Sequence, residues 1–247
     1  MISVTILTKN SELHIQKCLD ALRIFEEVLI LDNGSTDQTL TIAASYPNVK
    51  IHHHEFIGFG ALRNLAVSLC KNDWILWVDS DEVLDDSLIQ SIQTCSMESN
   101  TVYRILRKQY YNGKYINGAG WGNDYVLRLF NRKATRINDK NVHEGLETKG
   151  MTIQDLAGFI HHYSYESAAQ LIDKMNYYST LFAEANQHKK GTSPLIAYFK
   201  KVFHFWNYYL IKKGFLYGYE GYLIAHVNAQ GAFFKYMKLY EMNKKVT

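Results

Sequence analysis

Short apolar runs rich in β-branched and aromatic residues alternate with amphipathic segments over the first third of the chain. The runs predict four strands, at Ile2–Thr8, Val28–Leu31, Val49–His52 and Trp74–Val78, of which the first and the last are predicted to be buried. The segments between them predict three helices: one through Leu19 to Ile24 capped by Ser11, one from Ser35 or Thr36 towards Tyr46, and one over Phe59–Leu69. Such alternation predicts a mostly parallel sheet, with the carboxyl ends of its strands at one edge.

The alternation of strand-like and helix-like segments ends after about residue 93. Further strands are predicted at Val102–Gln109, Tyr125–Phe130 and Met151–Ile160, with a long loop from Asn131 to Gly150. Helical spacing then predicts Ala168–Gln187, Leu195–Lys212 and Tyr222–Met242. The pattern therefore predicts an α/β domain over residues 1–163 and a helical C-terminal extension over residues 164–247.

Composition narrows the class of protein. A chain of 247 residues with 47% hydrophobic content can bury a large core, and a net charge of +3 gives no argument for a nucleic-acid partner. Cys18, Cys70 and Cys95 lack the spacing of a disulfide framework or a zinc site, which fits a reducing compartment. There is no signal sequence and no uncharged apolar run of about 18 residues, so we expect a cytoplasmic protein without membrane-spanning segments.

The fourth predicted strand ends abruptly in two carboxylates, Asp79 and Asp81. Alternate residues of an extended segment point to the same side, so both carboxylates can face one ion. Hard oxygen ligands of this kind suit Mg²⁺ or Mn²⁺, which bridge carboxylates to the phosphates of a substrate. The alternative is an acidic turn that caps a helix beginning near Leu84.

The second predicted strand ends in Asp32, which begins the polar segment Asp32–Asp37. Asp32 can accept hydrogen bonds from a base or sugar, Gly34 permits a tight turn, and helix N-terminal amides favour phosphate. A plain turn with a helix cap is the alternative. The dinucleotide fingerprint and the P-loop are both absent from the sequence.

Further polar residues lie near the same predicted edge. Arg63 could hold a pyrophosphate and Asn64 could support the metal loop, although both could also be surface residues of an amphipathic helix. Adjacent residues of a strand face opposite sides, so we interpret His52–His54 and the pair His161 and His162 as strand ends and not as metal clusters.

Four segments occur in order at a suitable spacing: Thr5–Glu12, Leu31–Asp37, Gly60–Asn64 and Asp79–Glu82. Together they resemble the nucleotide-sugar-binding half of the family 2 glycosyltransferases, which have the GT-A fold, a Rossmann-like mixed sheet flanked by helices. Three more segments make the chain similar to lipopolysaccharide inner-core β-1,4-glucosyltransferases, which transfer glucose to a heptose: Arg128–Phe130, Val142–Glu144 and Lys213–Phe215. Tyr217 stands where that subgroup is expected to carry Asp, which affects the account of acceptor binding and not the fold.

The resemblance implies an inverting transfer of a hexose from a UDP-sugar, most directly UDP-glucose, with Mg²⁺ or Mn²⁺ as cofactor. Asp32 would contact the uracil and Arg63 would support the donor pocket. The nucleotide-sugar-binding residues implied in this way are Thr8, Asn10, Glu12, Asp32, Arg63, Asn64, Asp79, Ser80 and Arg128. The implied metal ligands are Asp79, Asp81 and His143.

An inverting transfer also needs a carboxylate base on the acceptor side, and the candidates are Asp124 and Glu144. Asp124 directly precedes a predicted strand, and either residue could be a solvated loop carboxylate. The resemblance favours Glu144, because the pair of His143 and Glu144 belongs to the matched pattern. Arg128 would then hold either the diphosphate or the base.

The last third of the chain mixes aromatic residues with lysines on segments too polar to span a bilayer. This mixture predicts peripheral attachment to the anionic inner face of the cytoplasmic membrane, where a lipid-anchored saccharide acceptor would lie. The alternative is that the aromatic residues pack on the α/β domain. Two other functions stay open from the residues: a sugar-nucleotide pyrophosphorylase, whose glycine-rich loop is missing, and a non-catalytic sugar-nucleotide-binding protein.

Overall fold

The computed structural model describes residues 1–122, 124–138 and 145–244. The chain divides into two compact units, a sheet unit of Met1–Lys108 and Asp124–His162, and a helical unit of Gln109–Asn123 and Tyr163–Thr247. The sequence-based boundary at residue 163 left residues 109–123 in the first domain. The structure instead ties this segment to the helical unit, since Asn112 N donates to Tyr165 O at 2.8 Å and Ala119 N donates to Lys212 O at 2.7 Å.

One mixed sheet carries the fold of the sheet unit. Its strands are β1 (Ile2–Thr8), β2 (Glu27–Asp32), β3 (Val49–His53), β4 (Trp74–Asp79), β5 (Glu82–Leu84), β6 (Thr101–Tyr111), β7 (Lys114–Tyr115), β8 (Asp124–Asn131) and β9 (Thr152–Tyr165). They lie in the order β3-β2-β1-β4-β8-β6-β9-β5, with β7 paired to β6. The pairs among β3, β2, β1 and β4 are parallel, whereas β8 runs antiparallel to β4. The predicted mixed sheet flanked by helices is confirmed.

Helices cover both faces of the sheet. The helices are α1 (Ile15–Ala21), α2 (Thr39–Ala43), α3 (Phe59–Leu69) and α4 (Asp86–Thr94). On β2, Val28 and Ile30 belong to one buried cluster with residues of α1, α2 and α4, while Leu29 and Leu31 belong to a second cluster with residues of α3. This alternation follows from the two-residue period of a strand, and it explains why the run is apolar throughout.

Three predicted helix starts are corrected. The first residue of α1 is preceded by His14, with no side-chain cap, because the Ser11 hydroxyl interacts instead with Thr8 and Ser80. Helix α2 is a short element that begins at Thr39, beyond the predicted Ser35 or Thr36. Helix α4 begins at Asp86, and the side chain of the preceding Asp85 accepts from the Leu88 amide.

The helical unit contains α5 (Ala168–Asn186), α6 (Pro194–Trp206) and α7 (Gly218–Lys244), with α7 packed against both other helices. A π-helical turn, Asn207–Ile211, and a 3-10 turn, Gly214–Tyr217, connect α6 to α7. A Cβ at Gly221 would lie 1.9 Å from Gly214 O, so the start of α7 meets the 3-10 turn backbone to backbone. Among the described residues, no helix combines the length and apolarity needed to cross a bilayer.

Candidate active site

Among the residues that the structure describes, six charged side chains of alternating sign form a continuous chain next to the end of β4. Arg63 donates to Asp79 Oδ1 at 2.8 Å, and Arg128 donates to Asp79 Oδ2 at 2.7 Å. Arg128 also donates to Glu82 Oε1, which accepts from Arg107 at 3.1 Å. The order of the chain is Arg63, Asp79, Arg128, Glu82, Arg107 and Asp124. Three guanidinium groups therefore neutralise three carboxylates. The six residues together come from α3 and four strands.

The first carboxylate of the Asp-x-Asp motif is held tightly. Burial acts to raise the pKa of Asp79, but Arg128 and Arg63 outweigh it and hold that pKa well below its ordinary value. The Trp77 indole donates a further hydrogen bond to Asp79 Oδ1 at 3.1 Å, and its ring lies beneath both guanidinium groups, 3.9 Å from Arg63 and 4.6 Å from Arg128. Both oxygens of Asp79 are thus occupied by protein donors.

The second carboxylate of the motif is the open one. The chain leaves the extended conformation after Asp79, and Ser80 and Asp81 form a turn, so the two carboxylates acquire different partners. Asp81 Oδ2 lies 3.3 Å from His162 Nε2, and the Asp81 side chain is 34% exposed. Strand β9 places His162 there, because Glu82 on β5 is the antiparallel partner of His162.

The donor atoms of Asp81 and His162 fit a divalent ion that keeps several other ligands. A carboxylate oxygen and an imidazole nitrogen both suit Mn²⁺, and Mg²⁺ is commonly held by one or two carboxylates together with substrate phosphates. In the part of the chain that the structure describes, no group of three or more His, Cys, Asp or Glu side chains forms a closed metal site. Asp79 as a ligand stays a prediction that this geometry does not favour, and His143 lies outside the described residues.

Hydroxyl and amide groups connect β1 to this edge. Thr8 Oγ1 donates to Ser11 Oγ at 3.0 Å, and Ser11 Oγ lies 2.8 Å from Ser80 Oγ, so the ends of β1 and β4 share one hydroxyl chain. Asn10 adopts a left-handed conformation with φ of 52° and accepts from the Thr36 amide at 2.8 Å. Glu12 accepts from the Gln38 amide at 2.9 Å. Asn10 and Glu12 therefore position the loop after β2.

Asp32 organises the turn at the end of β2. The side chain is buried and accepts from Gly34 N at 2.9 Å, from the Ser35 amide and hydroxyl, and from His53 Nδ1 at 3.3 Å. Burial acts to raise the pKa of Asp32, and the hydrogen bonds from Ser35 and Gly34 outweigh it and lower that pKa. An open groove of about 310 Å³ lies here, lined by Asp32, Asn33, Gly34, His53, His54 and Glu55. The predicted contact between Asp32 and uracil stays a prediction.

Asn64 supports the loop that follows β8, and its predicted support of the metal loop stays a prediction. Its side chain donates to Ile137 O at 2.8 Å and accepts from Ile137 N at 3.2 Å. Ile137 in turn forms an isolated antiparallel bridge with Leu146. Asn64 on α3 therefore fixes the base of the segment that contains His143 and Glu144. Those two residues lie outside the described part of the chain, and their roles stay predictions.

Asp124, the alternative base, belongs to the same ion chain through Arg107. Arg107 Nε donates to Asp124 Oδ2 at 2.9 Å, and the Asp124 side chain is 37% exposed. The guanidinium stabilises the ionised carboxylate, which a general base requires, and both of its hydrogen bonds go to Oδ2.

A larger cavity, of about 440 Å³, lies within the helical unit. Its basic side chains are Lys174, Lys235 and His204, and the described residues contribute no carboxylate to its lining. Its aromatic walls are Trp121, Tyr165, Tyr178, Phe182, Tyr208 and Tyr236. Burial, together with Lys200, Lys235 and Lys212, lowers the pKa of His204. The cavity is therefore electropositive and aromatic, and its volume is that of a small-molecule site.

Comparison with known proteins identifies the family. The sequence profile of glycosyl transferase family 2 matches residues 3–159, which include every member of the ion chain and Asp81. The chain belongs to glycosyltransferase family 2. Membership of a family that transfers glycosyl groups disfavours the pyrophosphorylase alternative, in which a nucleotidyl group would be transferred.

Several relatives are similar over almost their whole length. An uncharacterised glycosyltransferase of Rickettsia felis is 30% identical, over 97% of this chain and 89% of its own. The lipopolysaccharide core biosynthesis glycosyltransferase LpsC of Rhizobium meliloti is 27% identical, over 97% of this chain and 92% of its own. Among solved structures, S. aureus TarS 1-349 in complex with UDP has a TM-score of 0.50 at 17% identity, covering 100% of this chain and 92% of the TarS 1-349 chain. That likeness supports the GT-A fold.

Sequence reasoning missed three residues of this site: Glu82, Arg107 and His162. Glu82 is fully buried and joins two arginines, although its neighbours in sequence suggested a solvated acidic turn. His162 was interpreted as a strand end. The pairing of β5 with β9 is what brings it to Asp81, and no local pattern in the sequence encodes that pairing.

Proposed function

We propose that this glycosyltransferase is metal-dependent and inverting, and that it transfers a hexose from a UDP-sugar to a heptose of the lipopolysaccharide inner core. The observation that carries the proposal is that the two carboxylates of the Asp-x-Asp motif have different partners. Asp79 is occupied by Arg63 and Arg128, whereas Asp81 stays open beside His162. The site thus places a fixed, charge-balanced cluster of arginines and carboxylates beside the partly exposed carboxylate of Asp81, where a divalent ion could join Asp81 to a nucleoside diphosphate.

The donor is proposed to place its nucleoside in the groove lined by Asp32 and His53. Structures of the neighbour TarS include complexes with UDP and with UDP-GlcNAc, each with a TM-score of 0.50, which makes a uridine nucleotide the first donor to test. Glucose is the proposed hexose because of the resemblance to inner-core glucosyltransferases.

The proposed ion is Mg²⁺ or Mn²⁺, held by Asp81 and His162. When bound, it would neutralise charge on the departing diphosphate. Arg63 and Arg128 hold Asp79 ionised and fix the turn that carries Asp81. Glu144 is the proposed base that takes the proton of the acceptor hydroxyl, with Asp124 as the alternative.

The proposed acceptor is an anionic, lipid-anchored saccharide at the inner face of the cytoplasmic membrane. The name of the relative LpsC supports a role in lipopolysaccharide core synthesis. The cavity of the helical unit supports an anionic sugar as well, because aromatic rings pack against sugar rings and Lys174 and Lys235 can pair with phosphate or carboxylate groups.

A donor screen followed by a transfer assay tests the proposal. Thermal shift with UDP-, GDP- and TDP-sugars, each with Mn²⁺ and with EDTA, should give the largest stabilisation for a UDP-sugar with Mn²⁺. Transfer of labelled glucose to heptose-terminated core lipid should then depend on Mn²⁺ or Mg²⁺. Binding without transfer to any core acceptor would favour the non-catalytic alternative, and full turnover in excess EDTA would exclude metal dependence.

A further inference from the structure

Helix α6 turns large apolar side chains outward. Within α6, all of which the structure describes, Ala197 is the one buried residue. Phe199, Phe203 and Trp206 are 61%, 63% and 51% exposed. At 3.6 residues per turn these side chains fall on one stripe, which we call the outer face of α6. Its members are Leu195, Ile196, Tyr198, Phe199, Val202, Phe203 and Trp206.

The apolar surface continues beyond the end of α6. Leu210 and Ile211 in the π-helical turn, and Phe215 and Leu216 in the 3-10 turn, are all about half exposed or more. A groove of about 350 Å³, lined by Ile196, Phe199, Lys200 and Phe203, runs along the outer face. A contiguous apolar patch of this kind marks an interaction surface, because isolated exposed side chains are ordinary and clusters of them are not.

Lysines border this apolar surface. By helical periodicity Lys200 and Lys201 lie on the two edges of the outer face, and Lys212 and Lys213 follow the π-helical turn. Residues 185–219 contain six lysines and no aspartate or glutamate. The whole helical unit has 12 lysines, no arginine and 5 acidic residues. Within residues 185–219, the charged side chains at the border of the outer face are therefore all positive.

This arrangement inverts the usual pattern of a surface helix, which turns its apolar stripe to the core. The inward side of α6 carries Ala197 and His204, and His204 lines the cavity of the helical unit. A soluble protein partner or a second copy of the chain would need a matching apolar surface with acidic residues. Aromatic residues flanked by lysines, without a single carboxylate, match the interface of an anionic bilayer.

We infer that the outer face of α6, together with the turns that follow it, inserts into the interfacial layer of an anionic lipid bilayer. The aromatic and aliphatic side chains enter the layer between headgroups and acyl chains, and the lysines pair with anionic headgroups. Attachment through this face is independent of donor binding and of transfer, so each can fail without the other.

Vesicle flotation of the full chain tests the inference. The wild-type protein should float with vesicles of phosphatidylglycerol and phosphatidylcholine in equal parts and remain with the soluble fraction when the vesicles are phosphatidylcholine alone. The double variant Phe199→Asp, Phe203→Asp should lower binding to the anionic vesicles by at least about a hundredfold, because two large apolar side chains are lost and two negative charges are gained. The pair Lys200→Gln, Lys213→Gln should lower it by about tenfold or more.

Two matched controls separate this face from general surface effects. Ile24→Asp changes an apolar residue in the turn after α1 that is 50% exposed. Lys149→Gln changes an exposed lysine of the sheet unit. Both should float like the wild type. Circular dichroism and affinity for UDP with Mn²⁺ should be unchanged in all four variants, which keeps a failure of attachment distinct from a failure of the proposed transfer.

Two results would overturn the inference. One is equal flotation of the wild type and the Phe199→Asp, Phe203→Asp variant. The other is a wild type that does not bind anionic vesicles but sediments as a dimer, with the same double variant sedimenting as a monomer. The second result would assign the outer face of α6 to a copy of the chain.

Discussion

The Arg128 guanidinium donates to Asp79 Oδ2 at 2.7 Å, so the first carboxylate of the Asp-x-Asp motif is neutralised by the protein itself. Arg128 is nearly fully buried, and the same nitrogen also donates a hydrogen bond to Glu82. Burial acts to lower the pKa of Arg128, while Asp79 and Glu82 outweigh it and raise that pKa. The guanidinium is thus a permanent cation that sets the charge of the site before any ligand arrives.

Replacing Arg128 should therefore destabilise the fold. Arg128→Gln leaves the fully buried Glu82 with one cationic partner in place of two, and we expect the free energy of unfolding to fall by about 3 kcal/mol in urea titration. Adding Glu82→Gln should restore part of that loss. As a control, Arg104→Gln breaks an exposed pair with Asp155 and should lower the free energy of unfolding far less than Arg128→Gln does. Equal costs for the two arginines would contradict a structural role of the ion chain.

The two motif carboxylates should respond differently to substitution. Asp81→Asn should abolish the strengthening of UDP binding by Mn²⁺ with little change in stability, because Asp81 is partly exposed. His162→Gln should weaken that Mn²⁺ effect at least about tenfold. Asp79→Asn should lower stability, since Arg63 and Arg128 lose a charged partner. Calorimetry with and without Mn²⁺ measures the effect, and a full Mn²⁺ effect in Asp81→Asn would remove Asp81 from the metal site.

The identity of the base can be decided by kinetics. Glu144→Gln should keep the affinity for UDP-sugar and metal yet lower kcat by at least about a hundredfold. Asp124→Asn weakens the contact with Arg107 and should keep kcat within about tenfold of the wild type. The reverse outcome, with Glu144→Gln active and Asp124→Asn inactive, would assign the base to Asp124.

Gly158 should tolerate no side chain. It has φ of +91°, and a Cβ there would lie 2.3 Å from Leu88 N and 2.6 Å from Leu88 Cα. Because backbone atoms cannot move aside, Gly158→Ala should lower the free energy of unfolding by about 3 kcal/mol or more. Gly150 has φ of +80° with nothing within 4 Å, so Gly150→Ala should cost about 1 kcal/mol. Similar costs at both positions would show that contact with α4 is not the cause.

Asp85 should link stability to pH. Burial acts to raise the pKa of Asp85, and hydrogen bonds from Phe159 N, Ser87 and Leu88 N outweigh it and lower that pKa. A carboxyl whose pKa is lowered by folding stabilises the protein above its unfolded pKa of about 3.9 and loses that contribution as the pH falls through the folded pKa. Wild type should thus exceed Asp85→Asn in stability near pH 6, and the gap should shrink below about pH 4. A gap that does not change with pH would contradict the assignment.

Much of the fold follows from local pattern alone. The apolar runs at β1, β2 and β4 predict buried parallel strands because a strand covered on both faces is apolar at almost every position. The same logic places Asp32 and Asp79 at strand ends, where the structure has them. The mixture of aromatic residues and lysines on α6 likewise predicts, from the sequence, a helix that lies at a membrane surface.

Other features depend on contacts between distant segments. Whether Asp79 or Asp81 is open depends on Arg63 of α3 and Arg128 of β8, which reach Asp79 from different elements, and on the turn at Ser80. His162 reaches Asp81 through the antiparallel pairing of β5 with β9. Such pairings are decided by the free energy of the whole packed sheet, which short-range periodicity does not contain. The sequence by itself determined which residues stand at the edge of the sheet, and the tertiary structure alone decided which of them are neutralised and which stay open.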